Sequence, residues 1–286
     1  MPAIAIQGHR GARGSIPENT FSSFEFAMDH MVNSIETDLH LTADKKVILY
    51  HDSTVGGLGL PISSFQLDPL RKYHLSDKLH TKSFPKQKLD IGPVARLFCE
   101  SRNFHVWSIP TLAEMFEFIH AYSSNLGTLA GKSTRQQIHA KEMTLDLEIK
   151  QLPFRICKTE ILLEEIALLA NKLGWLQKIS IRSFDHQVIQ KCKEIIPEAK
   201  RGLLFDGTLV ANPLKEIEFS EASFICPRWD TLDMETVNTV QSSGIEIIPW
   251  TVNFQEQWAL MKSLGIRNIT TDYPKEFAEW QARQPG

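Results

Sequence analysis

The sequence has no stretch of about 20 apolar residues able to cross a bilayer. Its opening, MPAIAIQGHRG, lacks a basic region followed by a long apolar run. An intracellular, cytoplasmic chain with at most peripheral lipid contact is expected. Lysines and arginines form no cluster, and 31 of them against 34 acids leave a net charge of −3 and a pI near 6.4. This balance gives no electrostatic reason to expect nucleic acid or an anionic membrane as partner. Cysteine is sparse: Cys99, Cys157, Cys192 and Cys226 have no metal-type spacing, and free thiols in a reducing compartment are expected rather than disulfides. There is no internal repeat and no low-complexity tract. Glycines at 8, 11 and 14 in GHRGARG do not make a dinucleotide fingerprint, because Pro17 interrupts the helix start that motif requires.

What the sequence does hold is short β-branched runs separated by helical patterns. With 286 residues, 42% apolar and 23% charged, the chain can fold as one α/β barrel or as two ordinary domains. Strands are expected at 3–8, 34–41, 47–51, 145–150, 178–184, 201–205, 223–226, 245–252 and 267–271. Between them, ENTFSSFEFAMDHMV spaces Phe21, Phe24, Ala27, Met28 and Met31 at helical intervals. TLAEMFEFIHAY opens with a capping box, Thr111 with Glu114. EILLEEIALLANKLG stops at Gly174, DHQVIQKCKEIIP stops at Pro197, and NFQEQWALMKSLG carries Asn253 and Glu256 at cap-box spacing. Strands alternating with helices of this length imply a parallel sheet.

Nine strand-like segments exceed the eight of a (β/α)8 barrel. The link TADKK is too short for a parallel crossover, so 34–41 and 47–51 should form an antiparallel hairpin turning near Asp44 and Lys45. That turn brings His51 beside Asp38 and leaves eight parallel strands. The expected fold is therefore a (β/α)8 TIM barrel, a single catalytic domain over 1–286, with a β-hairpin excursion after strand 2. Residues 52–110, too long for a barrel loop, should form a small insertion subdomain. Residues 123–143, polar throughout, read as a mobile loop.

The chemistry gathers at strand ends, where barrel active sites lie. Glu36 and Asp38 are two apart on one strand and share a face, as do Glu148 and Lys150. His9, Arg10 and Phe184 fall at the ends of other strands. Three acids would repel one another unless neutralised. A hard divalent cation bound through their oxygens resolves the conflict, two imidazoles nearby suit proton transfer, and Arg10 suits a phosphate.

In order along the chain, His9-Arg10-Gly11, Pro17-Glu18-Asn19-Thr20, Glu36-x-Asp38 and His51-Asp52 resemble the signature of glycerophosphodiester phosphodiesterases. The similarity continues through Ile109-Pro110-Thr111-Leu112, Glu148-Ile149-Lys150, Ser183-Phe184, Trp250-Thr251-Val252-Asn253 and Thr271-Asp272-Tyr273-Pro274, nearly the whole chain. The resemblance implies a TIM barrel that hydrolyses glycerophosphodiesters to sn-glycerol 3-phosphate and an alcohol. It implies one divalent cation, Ca2+ or Mg2+, held by Glu36, Asp38 and Glu148. It implies His9 and His51 as general acid and base, Arg10 and Lys150 near the phosphate, and Phe184 and Trp250 lining the pocket. Asn19, Asp52 and Asp272 are expected to hold these groups in place. The strand reads ETDL where the family more often has ELDV; Thr37 should point away from the metal and matter little.

Several alternatives stay open at this level. They are which histidine is acid and which base, attack by a glycerol hydroxyl or by water, the alcohol, the metal, and whether the chain forms a homo-oligomer. A lysophospholipase D acting on an acylated glycerol would need an apolar channel, which Phe65, Leu67, Leu70, Leu75, Leu79 and Phe84 could supply or could instead withdraw into packing. A non-catalytic phosphodiester-binding barrel should have lost a histidine or an acid, and none is lost. The remaining eight histidines, His40 included, read as surface groups, and Trp107, Trp175, Trp258 and Trp280 as packing residues.

Overall fold

A computed structural model describes residues 3–55, 59–150, 156–207 and 213–284, with the side chains of 156–158 also outside the description; the Cys157 thiol is among them. The β-branched runs form strands where the pattern expects them, except that the run 245–252 is strand only at Glu246–Ile247: β1 (Ala5–His9), β2 (Ser34–Leu41), β3 (Val47–Leu49), β4 (Thr144–Ile149), β5 (Ile179–Ser183), β6 (Lys200–Phe205), β7 (Phe224–Pro227), β8 (Glu246–Ile247) and β9 (Asn268–Thr271). Eight of them run in the order β8-β7-β6-β5-β4-β2-β1-β9, every neighbouring pair parallel. The chain after β8 closes the ring: Thr270 donates its backbone N–H to the Pro249 carbonyl and accepts one from Val252, each at 2.9 Å. Helices Phe21–Asp29, Leu112–Tyr122, Ile156–Lys172, His186–Ile195, Pro213–Ser220, Met234–Ser242, Gln255–Ser263 and Pro274–Ala282 follow the eight barrel strands in turn. This is the expected (β/α)8 barrel, and the apolar faces of its helices and strands merge in one large core.

The ninth strand behaves as the short TADKK link requires. β3 pairs antiparallel with β2, Leu39 opposite Leu49, and Lys45 takes a left-handed φ of 58° in the turn. The register puts Tyr50 opposite Asp38, its N–H bonded to the Asp38 carbonyl at 3.0 Å, so His51 lies one residue further along than the hairpin argument implied.

Residues 52–110 leave β3 and return beside it: Leu49 donates to the Pro110 carbonyl at 2.9 Å, and Ile48 bridges Thr111. Within the excursion lie short helices at Ile62–Ser64, Leu67–Leu70 and Leu75–Lys78 and a longer one, Pro93–Ser101. Ile48, Tyr50, Val55, Ile62, Leu70, Leu75 and Ile109 form a second core, with Phe65 and Leu67 packed on it. Phe84 is buried separately, over Arg13 and edge-on to Tyr273, and Leu79 is part-exposed.

Three expectations change. Residues 123–143 are not a loop but contain helices Asn125–Leu129 and Thr134–Glu142. The second is polar, burying Ala140 alone, so it has almost no apolar stripe to read. A Ser133–Gln136 capping box starts it, and Lys132, paired to Glu25 and Asp29 at 2.7 Å, anchors the segment to the first helix. Asn253 does not cap its helix; Phe254 occupies that position and the Gln257 side chain accepts from both backbone N–H groups. Met31 lies beyond its helix, which ends at Asp29.

Candidate active site

The first loop of the site is built by glycine. A Cβ on Gly8 would sit 2.3 Å from the Gly11 carbonyl, and Gly11 has φ +87° against Ser23. The tight turn aims Arg10, itself left-handed at φ 50°, back over the barrel mouth. Asn19, also left-handed at φ 54°, donates its N–H to the Arg10 carbonyl at 3.1 Å, and Thr20 caps the following helix.

Strand register then sets the acids. His9 pairs with Glu36 across β1 and β2, Asp38 with Glu148 across β2 and β4, and Glu148 with Arg182 across β4 and β5. Glu36, Asp38 and Glu148 are all buried, and each offers an oxygen within 4.8 Å of the other two. Glu36 Oε2 accepts the Arg10 N–H at 3.1 Å. Asp38 Oδ2 accepts from Asn19 Nδ2 at 2.9 Å and lies 3.1 Å from Arg10 Nε. Lys150 spans Asp38, at 2.8 Å, and Glu148. Burial pushes the Glu36 carboxyl up; Arg182 pulls against this, and Asp38 and Glu148 add to it. Burial also opposes the Asp38 charge, but Arg10 and Lys150 outweigh it and hold that carboxyl well below its usual range.

Glu36 Oε1 and Asp38 Oδ1 accept no well-formed hydrogen bond; their company is ionic, Arg182 at 3.3 Å and Lys150 at 2.8 Å. Three convergent buried carboxylates with two such oxygens fit a hard cation with oxygen ligands.

Each sequence-singled histidine leans on a carboxylate. His9, 8% exposed, contacts Asp272 through Nδ1 at 2.6 Å and Glu36 through Nε2 at 3.8 Å. Asp272 is fixed by Asn253, which donates Nδ2–H to Oδ2 at 2.7 Å and accepts the Asp272 N–H at 2.9 Å. Burial lowers the His9 pKa to about 4 against the pull of Asp272. The ring is therefore neutral near pH 7, with Nδ1–H donated to the carboxylate and the Nε2 lone pair facing the acids. His51 is half-buried and its Nδ1 meets Asp52 Oδ1 at 2.8 Å. The His51 hydrogen bond holds the Asp52 carboxyl far below its usual range, and Lys78 adds to it against burial.

Phe184 and Trp250 meet edge-to-face with centroids 5.6 Å apart, on a small apolar cluster of Leu204, Phe224, Cys226 and Ile248. Trp250 Nε1–H is tied to the Cys226 carbonyl at 2.8 Å. All twelve sequence-singled positions thus lie around the barrel mouth.

The structure adds residues that the sequence reading passed over. Thr37 donates to Asn19 Oδ1 at 2.8 Å and so orients the amide that holds Asp38; it is not inert. Glu18 receives Arg10 at 2.8 Å and Arg13 at 2.7 Å. His40, read as a surface group, is buried and reaches the His51 carbonyl at 3.3 Å. Beneath the acids lies a polar layer. Arg182 contacts Glu36, Asp146 at 3.1 Å and Gln7 at 3.0 Å, while Gln7 also bonds Asp146 and Thr270. The signal for this layer was strand alternation: Gln7 precedes His9 by two, and Asp146 precedes Glu148 by two.

Comparison with known proteins agrees along the chain. The model of the Glycerophosphoryl diester phosphodiesterase family matches residues 9–276. A glycerophosphodiester phosphodiesterase of Caldanaerobacter subterraneus is 27% identical, over 96% of each chain. Lysophospholipase D GDPD1 of Homo sapiens is 21% identical over 95% of this chain and 84% of its own. The solved structure of a phosphodiesterase of Oleispira antarctica, in complex with the product sn-glycerol-3-phosphate, superposes with a TM-score of 0.72 at 20% identity over 96% of both chains. At that identity the structural likeness speaks for the barrel alone.

Proposed function

Because this chain belongs to the glycerophosphoryl diester phosphodiesterase family, we propose that it hydrolyses glycerophosphodiesters to sn-glycerol 3-phosphate and an alcohol with the help of one divalent cation. One observation carries the reading: three convergent buried carboxylates, one of them beside His9, share the barrel mouth with two histidines that each hold Nδ1 against a carboxylate. Glu36, Asp38 and Glu148 would hold the cation, Ca2+ or Mg2+. When bound, it supplies positive charge to a phosphate oxygen as charge builds in the transition state.

The chain's own groups do the rest. Arg10 and Lys150 add positive charge beside the phosphate. His9, neutral with Nε2 free, takes the proton of the nucleophile. His51, on the excursion side, returns a proton to the leaving alcohol. Phe184 and Trp250 wall the pocket with apolar surface, and Asn19, Asp52 and Asp272 hold Asp38, His51 and His9 in position.

Five of the six apolar residues that could have supplied an acyl channel are withdrawn into packing, which favours a water-soluble substrate; Leu79 alone of the six is exposed. Phe65, Leu67, Leu70 and Leu75 pack in their own core and Phe84 is buried, so they are not free to line an acyl channel. Turnover of glycerophosphocholine well above that of lysophosphatidylcholine is the expected result; the reverse ratio would establish the lysophospholipase D reading instead. A barrel that only binds would show a dissociation constant and no product with any metal.

We read 1–286 as one catalytic domain with 52–110 as an insertion, because the chain leaves and rejoins at β3. We assign its work to the cytoplasm, where the buried free thiols of Cys99, Cys192 and Cys226 would stay reduced. Among the described residues no helix is long and apolar enough to cross a membrane.

A ligand-shell change gives a direct check. Glu148→Ala is expected to weaken Ca2+ binding by about 10-fold or more while far-UV circular dichroism stays unchanged. An unaltered calorimetric Ca2+ titration would remove Glu148 from the ligand set.

A further inference from the structure

The excursion at 52–110 sends one charged group to the barrel mouth. Leu75 is buried in the second core, its N–H bonded to the Trp107 carbonyl at 2.8 Å. That anchor fixes the short helix Leu75–Lys78 and brings the Lys78 ammonium over the Tyr50 ring, 4.0 Å from its centroid. The side chain is only 14% exposed. Lys78 Nζ reaches Asp52 Oδ2 at 2.7 Å and Glu18 Oε1 at 3.4 Å. The other Asp52 oxygen is the one on His51 Nδ1.

Asp52 itself is half-exposed. On its own it could swing into solvent and take no fixed stance toward the imidazole. A largely buried ammonium on its second oxygen removes that freedom. Burial works against the Lys78 charge, but Glu18 and Asp52 outweigh it and keep the group protonated. Through Glu18 the same ammonium is joined to the Arg10 clamp.

We propose that Lys78 is a positioning residue for the reaction: it pins the Asp52 carboxylate, which holds the His51 ring toward the leaving alcohol. The excursion then serves catalysis by delivering this lysine, without touching the substrate through it. The inference rests on the proposed reading of His51 as the acid.

The chemistry of that step offers a readout that a merely structural lysine would not move. An alkoxide leaving group needs the proton; p-nitrophenolate leaves without it. The full-length enzyme carrying Lys78→Met is therefore assayed on glycerophosphocholine and on the p-nitrophenyl ester of glycerol phosphate, beside wild type and Lys78→Arg. Expected is a loss in kcat of about tenfold or more on glycerophosphocholine, with KM nearly unchanged. The nitrophenyl ester should lose less than about threefold, and Lys78→Arg should recover most of the difference. Equal losses on both esters, a rise in KM alone, or no loss would overturn the proposal. Should Lys78→Met fold poorly, Asp52→Asn, a change at an exposed carboxylate, replaces it with the same two esters and the same criteria. Where both fold, the double variant should be little worse than Asp52→Asn alone, because both act through one carboxylate; additive losses would contradict the relay. Wild type inactive on both esters would defeat the proposed function, a different failure from an active wild type indifferent to Lys78.

Discussion

Alanine in place of His9 is expected to lower kcat on glycerophosphocholine by about 10²- to 10⁴-fold, with little change in KM. The size of the effect follows from how the ring is prepared. Asp272 sits 2.6 Å from Nδ1 and is itself held twice by Asn253. Burial resists the Asp272 charge, but His9, Arg13 and Asn253 keep its carboxyl below its usual range, so it stands as an acceptor. Nδ1 must then donate, and the pKa of about 4 leaves Nε2 unprotonated at neutral pH. Such a group is ready to take a proton without first losing one. Among the described residues no other imidazole has these partners, so alanine leaves nothing there to substitute for it. Asp272→Asn should lose much of the same activity, since it removes the charge that supports a histidine gaining a proton. A His9→Ala enzyme within about threefold of wild type would remove His9 from the acid–base pair.

The second large effect is on stability. Arg182→Met is expected to destabilise the fold by about 3–5 kcal/mol, read from the urea midpoint at constant slope. Arg182 is 2% exposed and spans Glu36, Asp146 and Gln7. Burial alone would lower its pKa, but Asp146 and Glu36 raise it well above the ordinary value. Methionine fills much of the space yet leaves two buried carboxylates without their cation, which is the costly half of a broken ion pair. Part of the loss should return on adding Ca2+, which binds the folded state and supplies charge beside Glu36. A loss below about 1 kcal/mol would mean that the polar layer is held by its hydrogen bonds alone.

These two residues also mark how far the sequence could be read. His9 was legible because it ends an apolar run in a glycine turn, and the strand period placed Glu36 and Asp38 on one face. The hairpin followed from the five-residue link, although its register sets Tyr50, not His51, opposite Asp38. Arg182 was not legible: it pairs with residues 36, 146 and 7 on other strands, and only the closed barrel brings these together. Lys78 is hidden for the same reason, on the four-residue helix Leu75–Lys78, which is too short to show a period. Helix Thr134–Glu142 escaped because caps and the Lys132 ion pairs hold it, not an apolar stripe. Thr37 looked idle because strand alternation turns it from the acids; its role runs through Asn19.

A cation held by Glu36, Asp38 and Glu148 is expected to support diester hydrolysis at this barrel mouth. The most direct measurement is sn-glycerol 3-phosphate released from glycerophosphocholine by the full chain, first in EDTA and then with excess Ca2+ or Mg2+. No product is expected in EDTA, and steady release is expected once at least one of the two ions is restored. Undiminished release in EDTA, or none with either ion, would contradict that expectation.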